Sequence, residues 1–152
     1  MGSSAFPVAA MRKLLNYGTR CYKMNSGATV RIFKSRWFQR FASKEGIVDA
    51  VLREAVARAE MGQIDADLGG EVIKQRVARP GQGRSRGYRT IILFRRGAKA
   101  FFVYGFAKSQ WANIDDGEAE QFKEAAKHVL ALTEKHLAEL LKRGDFAEVK
   151  SE

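Results

Sequence analysis

The residues most able to do chemistry are four cations on the three β-strands predicted in the middle of the chain. Lys74 and Arg76 are two positions apart, so strand periodicity places both side chains on one face. Arg89 lies near the start of the next predicted strand, and Lys108 closes the last one. We expect these four groups to converge on one face of a sheet, around a single anion.

A cluster of this kind suits the cleavage of a phosphodiester. Arginine binds phosphate oxygens in pairs and lysine supplies a point charge, and both stabilise the added negative charge of a pentacovalent transition state. A lysine crowded by other cations can also give up its proton and act as a general base. RNA carries its own nucleophile, the 2′-hydroxyl, so the chemistry needs no serine or cysteine nucleophile. The simpler alternative is that these cations are polar positions of a half-exposed strand.

Further side chains near these cations are candidates for binding RNA. Three arginines belong to a Gly- and Arg-rich hairpin and would contact backbone phosphates: Arg79, Arg84 and Arg86. Three aromatic residues could stack on bases: Tyr88, Tyr104 and Trp111. Tyr88 could equally be a packing residue at a sheet edge, and Trp111 could simply cover that edge.

The charge distribution also favours a polyanion as partner. The 152 residues carry a net charge of +10, and residues 72–114 contain ten Lys or Arg and no Asp or Glu. A merely solvated surface normally mixes both signs. Nucleic acid or the ribosome is therefore the expected partner, whereas the absence of a strongly amphipathic, lysine-rich helix argues against a membrane. A lone Cys21, and two histidines eight positions apart at His128 and His136, indicate neither a disulfide nor a metal site.

Hydrophobic periodicity predicts how these residues are positioned. The expected elements, in chain order, are a strand at 29–34, two helices from Ser35 to about residue 61, strands at 72–78, 88–95 and 99–108, and helices that begin near Asp115 or Asp116 and at Thr133. This order predicts an α+β fold with a twisted, mainly antiparallel four-stranded sheet. An N-terminal helical hairpin and a C-terminal helix would pack on one face, leaving the other face for the cations. Residues 27–152 would form this domain, and residues 1–26 an accessory or misannotated extension, poorly ordered.

Several segments of the chain resemble the HigB-like branch of the RelE/ParE toxin superfamily. They are Phe33-Lys-Ser-Arg-Trp-Phe, Gly62-Gln-Ile-Asp-Ala-Asp-Leu-Gly-Gly, Lys74-Gln-Arg-Val-Ala-Arg, Gly87-Tyr-Arg-Thr-Ile and Phe102-Val-Tyr-Gly-Phe-Ala-Lys. The resemblance covers residues 30–149 and implies the RelE-like fold. One part of the superfamily cuts RNA and another poisons DNA gyrase, so the resemblance is less specific for activity than for fold.

The resemblance implies a cytoplasmic toxin of a type II toxin–antitoxin module. Its partners would be a cognate antitoxin, often one with a helix-turn-helix domain, and mRNA on the ribosome, with promoter DNA bound only through the antitoxin. The implied activity is metal-independent and cofactor-free cleavage of mRNA by 2′-hydroxyl attack, which leaves a cyclic phosphate. Arg89 of the Gly-Tyr-Arg motif would stabilise the phosphate, while Lys74 and Arg76 would act as general base and electrostatic support. Lys108 matches the lysine that follows the last strand.

The chain departs from the family pattern just after Lys108. RelE carries a catalytic arginine where Ser109 stands, and closer relatives often carry an acid–arginine pair at the positions of Gln110 and Trp111. The late tyrosine that assists RelE has no counterpart, and Asp115 stands near its place. The three hairpin arginines could supply the missing charge. Two alternatives stay open: a ParE-type gyrase inhibitor, and a nucleic-acid-binding homologue without nuclease activity.

Overall fold

The computed structural model describes residues 30–79, 83–107 and 116–149, with side chains described except at 83–86 and 116. Within these ranges the chain forms six strands and four helices. In chain order they are β1 (Arg31–Ser35), α1 (Arg36–Glu45), α2 (Asp49–Glu60), β2 (Ala66–Gly69), β3 (Val72–Arg79), β4 (Gly83–Arg95), β5 (Lys99–Ala107), α3 (Asp116–Val129), α4 (Glu134–Arg143) and β6 (Phe146–Glu148). The predicted extension, residues 1–26, lies outside the described residues. In the described ranges, no helix has the length and apolar character needed to span a bilayer.

The strands form one mixed sheet in the order β2-β3-β4-β5-β1-β6. The β1–β5 pair is parallel, and the other neighbouring strands pair antiparallel. The prediction of an α+β fold with a mainly antiparallel sheet is thus confirmed, but four strands was wrong. The two missed strands are the edges β2 and β6, which have four and three residues. Strands this short do not show the alternation from which a strand is predicted.

Helices cover both faces of the sheet, so the prediction that they occupy one face only was wrong. On the first face, α1 and α2 bury residues such as Phe38 and Leu52 against Ile92 and Phe102. On the second face, α3 and α4 pack on a separate core made from alternate strand positions: Phe33, Val72, Ile91, Leu93, Phe101, Ala126, Leu130 and Leu137. The cause lies in the unbroken apolar run at 91–94, where successive side chains point to opposite faces and all four are buried.

The predicted helix starts are confirmed at two caps. Ser35 Oγ accepts a hydrogen bond from the Phe38 amide at 3.1 Å at the start of α1, and Thr133 Oγ1 accepts one from the His136 amide at 3.1 Å at α4. The predicted hairpin of α1 and α2 needs a correction, because their main packing partner is the sheet. Helix α1 packs on β5 and β1, whereas α2 packs on β3.

A buried side chain in the middle of β3 holds the strand in place. Gln75 has no exposed surface, and its Nε2 donates to the carbonyls of Ala55 at 2.9 Å and Gln63 at 3.0 Å. Its Oε1 accepts from the amide of Asp65 at 3.0 Å. Arg58 adds a second tie from α2, donating to the carbonyl of Arg76 at 2.6 Å. These bonds fix the backbone on either side of Gln75, where the predicted site residues stand.

Replacing Gln75 by leucine tests this anchor. The apolar side chain cannot bond the Ala55 and Gln63 carbonyls or the Asp65 amide, and buried polar groups left without partners cost free energy. We expect Gln75→Leu to lower the free energy of unfolding by about 2–4 kcal/mol in urea titrations. The matched control is Gln121→Leu on the exposed surface of α3, which should change it by about 0.5 kcal/mol or less. Equal effects of the two substitutions would contradict the anchoring role.

Candidate functional site

Three of the four predicted catalytic cations meet on one face of the β3–β4 pair. Arg76 lies directly opposite Arg89 in the register, and Lys74 lies opposite Ile91. Ile91 belongs to the core under α3 and α4, so Lys74, Arg76 and Arg89 point to that second face. The prediction that Lys74 and Arg76 share a face is therefore confirmed, and Arg89 joins them.

Burial along the two strands shows where the helices stop covering this face. Val72 and Leu93, which are paired, are fully buried, as is Ile91. Lys74 and Arg89 are half-buried and Arg76 is exposed. The cations therefore stand where the helical cover ends, toward the β3–β4 hairpin, with solvent access for a ligand.

Arg76 and Arg89 bring two positive charges together on this face. Among the described residues, neither the Arg76 nor the Arg89 guanidinium forms an ion pair. Asp65 precedes β2, and its Oδ2 accepts a hydrogen bond from the backbone amide of Arg76 at 2.7 Å and lies 3.9 Å from Arg58 Nη1. Like charges directly opposite one another on paired strands repel. A bound phosphate would relieve that repulsion.

Tyr88 lies on the opposite face, which corrects the prediction that it stacks on a base. It is 3% exposed, its hydroxyl donates to Glu45 Oε1 at 2.6 Å, and its ring meets Phe41 edge-on with centroids 5.4 Å apart. The packing alternative therefore describes it, although it is buried in the core rather than at an edge. Burial raises the pKa of the Tyr88 hydroxyl above its ordinary value, and the Glu45 carboxylate raises that pKa further.

Arg79 contacts Tyr88 and does not lie on the face that carries Lys74, Arg76 and Arg89. Its guanidinium carbon lies 5.1 Å from the centroid of the Tyr88 ring, a cation–π contact. Strand periodicity agrees with this placement, because Arg79 is two positions after Val77, which pairs with Tyr88, and three positions after Arg76. The pairing of β3 with β4 becomes irregular between Val77 and Arg79.

The remaining predicted site residues are not placed by the structure. Lys108 and Trp111 lie outside the described residues, as do the departures at Ser109, Gln110 and Asp115. Arg84 and Arg86 belong to the backbone of β4, but their side chains are outside the description. The roles assigned to them from the sequence stay predictions.

One feature that the sequence did not reveal is an open cavity of about 310 Å³ between α1 and the end of β5. Its lining residues come from both elements: Trp37, Arg40, Phe41, Lys44, Glu45, Tyr104, Gly105 and Phe106. Trp37 precedes the fully buried Phe38 on α1, yet 44% of Trp37 is exposed. Its apolar character is shared with core residues, so the sequence alone did not separate it from them.

Two acidic residues before and within β2, Asp65 and Asp67, accept hydrogen bonds from backbone amides. Asp67 Oδ1 accepts the amide of Gly69 at 2.8 Å, which is a local turn contact, and Asp65 holds Arg76 as described above. Across the described residues, no group of three or more His, Cys, Asp or Glu side chains is arranged to hold a metal ion.

Comparison with known proteins gives one family match. Residues 30–149 match the family model described as the RelE toxin of the RelE/RelB toxin–antitoxin system. No protein with a curated description matches the chain. The match spans most of the chain and confirms the resemblance at the level of the superfamily, and with it a cognate antitoxin as partner. The HigB-like branch stays a prediction.

The buried Tyr88 hydroxyl predicts a defined loss of stability at high pH. The pKa of Tyr88 is raised on folding, so above an unfolded value of about 10 the folded state keeps a proton that the unfolded state has lost. Its contribution is fully present below pH 10 and is lost as the pH rises through the folded pKa. We expect the difference in unfolding free energy between wild type and Tyr88→Phe to be constant from pH 8 to 9 and to shift against wild type above pH 10. A difference that stays constant through pH 11 in urea titrations would contradict the assignment.

Proposed function

Because this chain belongs to the RelE toxin family of toxin–antitoxin systems, we propose that it is an endoribonuclease that inhibits translation by cutting mRNA on the ribosome. The observation that carries the proposal is the cluster of Lys74, Arg76 and Arg89 on one accessible face of paired strands. The arginine side chains are not neutralised by any described carboxylate, so they are available to an RNA phosphate. RelE-family toxins are generally ribonucleases, and these positions match the basic residues that the family resemblance implies.

The proposed reaction is an in-line transfer within the RNA. The 2′-oxygen attacks the adjacent phosphorus and forms a 2′-O–P bond, the P–O5′ bond breaks, and the products are a 2′,3′-cyclic phosphate and a 5′-hydroxyl. Arg89 and Arg76 bind the non-bridging oxygens and stabilise the charge that builds up on them in the transition state. Lys74, two positions before Arg76 on the same face, is the candidate acceptor of the 2′-hydroxyl proton. Lys108 is the candidate donor of a proton to the departing 5′-oxygen.

The partner and the location follow from the same proposal. A cognate antitoxin would silence the toxin, and a helix-turn-helix domain in that antitoxin would account for promoter binding by the complex. The hairpin arginines Arg84 and Arg86 would contact RNA phosphates beside the cleavage point, where family members carry charge that this chain lacks at Ser109. The site of action would be the cytoplasm, where ribosomes and mRNA are found.

Removing the Arg89 guanidinium should abolish toxicity without unfolding the protein. Loss of one preorganised donor to a developing negative charge typically lowers the rate by about 10²–10³-fold. Arg89 is half-buried and makes no ion pair with a described residue, so Arg89→Ala should keep the melting curve close to that of wild type. The measurement is induced expression without the antitoxin, with separate pulse labels for protein and DNA synthesis.

The control for this experiment is Arg143→Ala, which removes an exposed arginine at the end of α4. We expect wild type and Arg143→Ala to stop protein synthesis first and Arg89→Ala to stop neither process. A folded Arg89→Ala variant with full toxicity would overturn the assigned site. An early loss of DNA synthesis instead would identify a gyrase inhibitor.

The proposed chemistry also predicts the behaviour of modified RNA. A 2′-O-methyl group at the cleaved nucleotide removes the nucleophile, so programmed ribosomes carrying that mRNA should bind the toxin without cleavage. Unmodified mRNA should yield a cyclic phosphate end. If EDTA is added to assembled ribosomes while free Mg²⁺ is held constant, so that only other metal ions are removed, the rate of mRNA cleavage should not change. Cleavage of the methylated mRNA at the same bond would contradict attack by the 2′-hydroxyl.

A further inference from the structure

The cavity beside β5 exists because β1 pairs with only half of that strand. Residues 31–34 of β1 pair with residues 99–102 of β5, and the chain then enters α1 at Arg36. On the β1 side of β5, no strand in the described part of the chain pairs with residues 103–107. Helix α1 crosses this open edge, and the cavity lies between the helix and the edge.

Aromatic rings form one wall of the cavity. Trp37 lies 5.3 Å from Phe41 at an interplanar angle of 16°, and 4.7 Å from Tyr104 at 30°, measured between ring centroids. A tryptophan that only filled the core would be buried, whereas this side chain keeps 44% of its surface accessible. Large flat apolar surfaces open to solvent are where proteins stack unpaired bases.

A glycine opens the floor of the cavity. A Cβ atom at position 105 would lie 2.5 Å from Cε2 of Phe41, so any larger residue would push this ring away from the strand. Gly105 therefore lets α1 approach β5 closely and keeps the rings of the wall together. Among the described residues, the lining of the cavity comes from α1 and β5.

The rim of the cavity is positive. Arg40 and Lys44 are four residues apart on α1, so they lie on the same side of the helix, and both are exposed. Neither forms an ion pair with a residue in the described ranges. The lining carboxylate, Glu45, accepts the Tyr88 hydroxyl at 2.6 Å. The cavity thus combines an aromatic wall with two cations that have no described acidic partner.

The cavity is next to the proposed cleavage site. Phe106, which lines it, pairs in register with Arg89 on the neighbouring strand. Adjacent strands are separated by about 4.8 Å, so the floor of the cavity and the base of Arg89 are one strand apart. An RNA strand whose phosphate lies on Arg89 would have a flanking nucleotide at this edge of the sheet.

We propose that this cavity holds one unpaired nucleotide of the bound RNA, with its base against Trp37 and Tyr104 and its phosphate on Arg40 and Lys44. The inference rests on the proposed function, since it names a subsite for the same RNA. A volume of about 310 Å³ is at the small end of ligand pockets, which suits a single nucleotide. The positive rim favours a polyanion over an apolar protein segment.

The test measures binding without cleavage. The probe is a fluorescently labelled, fully 2′-O-methylated single-stranded RNA of eight nucleotides, titrated with the full-length protein at several salt concentrations. We expect Arg40→Gln with Lys44→Gln to raise Kd at least tenfold. Because the pair contacts one phosphate, the slope of log K against log salt should fall in magnitude by about 0.7. The matched control, Lys127→Gln with Lys142→Gln, removes two exposed charges from α3 and α4 and should raise Kd less than threefold.

A second pair of variants tests the aromatic wall. Trp37→Ala should raise Kd about tenfold, since stacking on one aromatic side chain contributes about 1–3 kcal/mol per base. Trp37→Phe keeps an aromatic surface and should bind within threefold of wild type. Thermal unfolding by circular dichroism confirms that each variant is folded, and the charge variants, which change only exposed side chains, give an answer even if Trp37→Ala is destabilised.

Each contrary outcome overturns a different statement. If the cavity variants bind the oligonucleotide as wild type does, the proposed subsite is wrong. If wild type does not bind the oligonucleotide but still cuts mRNA on ribosomes, the subsite is wrong and the proposed nuclease activity stands. If the cavity variants bind RNA normally but lose affinity for the antitoxin, the cavity is a protein-docking site and the inference fails. If wild type neither binds RNA nor cuts mRNA on ribosomes, the proposed function fails, and the subsite with it.

Discussion

The burial of β4 on both faces constrains the rest of the structure. Four consecutive apolar side chains at 91–94 point alternately to opposite sides, so each side needs its own cover. Helices α1 and α2 provide one cover and α3 and α4 the other. Charged strand residues can then reach solvent only beyond the helices. The cluster of Lys74, Arg76 and Arg89 lies at this limit, so the same packing that stabilises the sheet determines where an anion can bind.

The two faces of β3 carry different kinds of residue: one face packs in the core and the other carries the cations. Gln75 points into the core under α2 and satisfies backbone groups there, while its neighbours Lys74 and Arg76 point the other way. Two contacts fix the backbone of Arg76: Arg58 donates a hydrogen bond to its carbonyl, and Asp65 accepts one from its amide. The strand is held firmly, and the Arg76 guanidinium is left without a described acidic partner. Preorganised cations of this kind lose little free energy when they bind phosphate.

The sequence was informative where a single periodicity or cap decides the structure. The α+β class, the three long strands, the caps at Ser35 and Thr133 and the shared face of Lys74 and Arg76 were all predictable. The edge strands β2 and β6 were not predictable, because three or four residues are too few to show the alternation of polar and apolar side chains. The apolar run at 91–94 did contain the signal for two-sided burial, and the prediction of helices on a single face overlooked it.

The candidate site was predictable where strand alternation alone decides to which face a side chain points. Cations on regular strand positions were located by alternation, which also puts Arg79 on the face opposite Arg76, where it contacts Tyr88. Tyr88 and Arg89 are consecutive on β4, so alternation places them on opposite faces, and a tyrosine that bound RNA beside Arg89 was not compatible with this rule. The cavity requires residues from α1 and β5 that are 59 to 69 positions apart in sequence, so no local pattern could indicate it.

The position of β1 between β5 and β6 has a consequence for the synthesis of the protein. Strand β1 is made early, but its neighbours are residues 99–102 on one side and Phe146–Glu148 on the other. During translation β1 stays unpaired until nearly seventy further residues, up to the end of its pairing segment in β5, have left the ribosome. Its second neighbour, β6, is made later still. Pairings so distant along the chain close slowly, because their loop entropy is lost before any contact compensates for it. A nascent chain of this topology therefore completes its sheet only after Phe146–Glu148 has been made and has paired with β1.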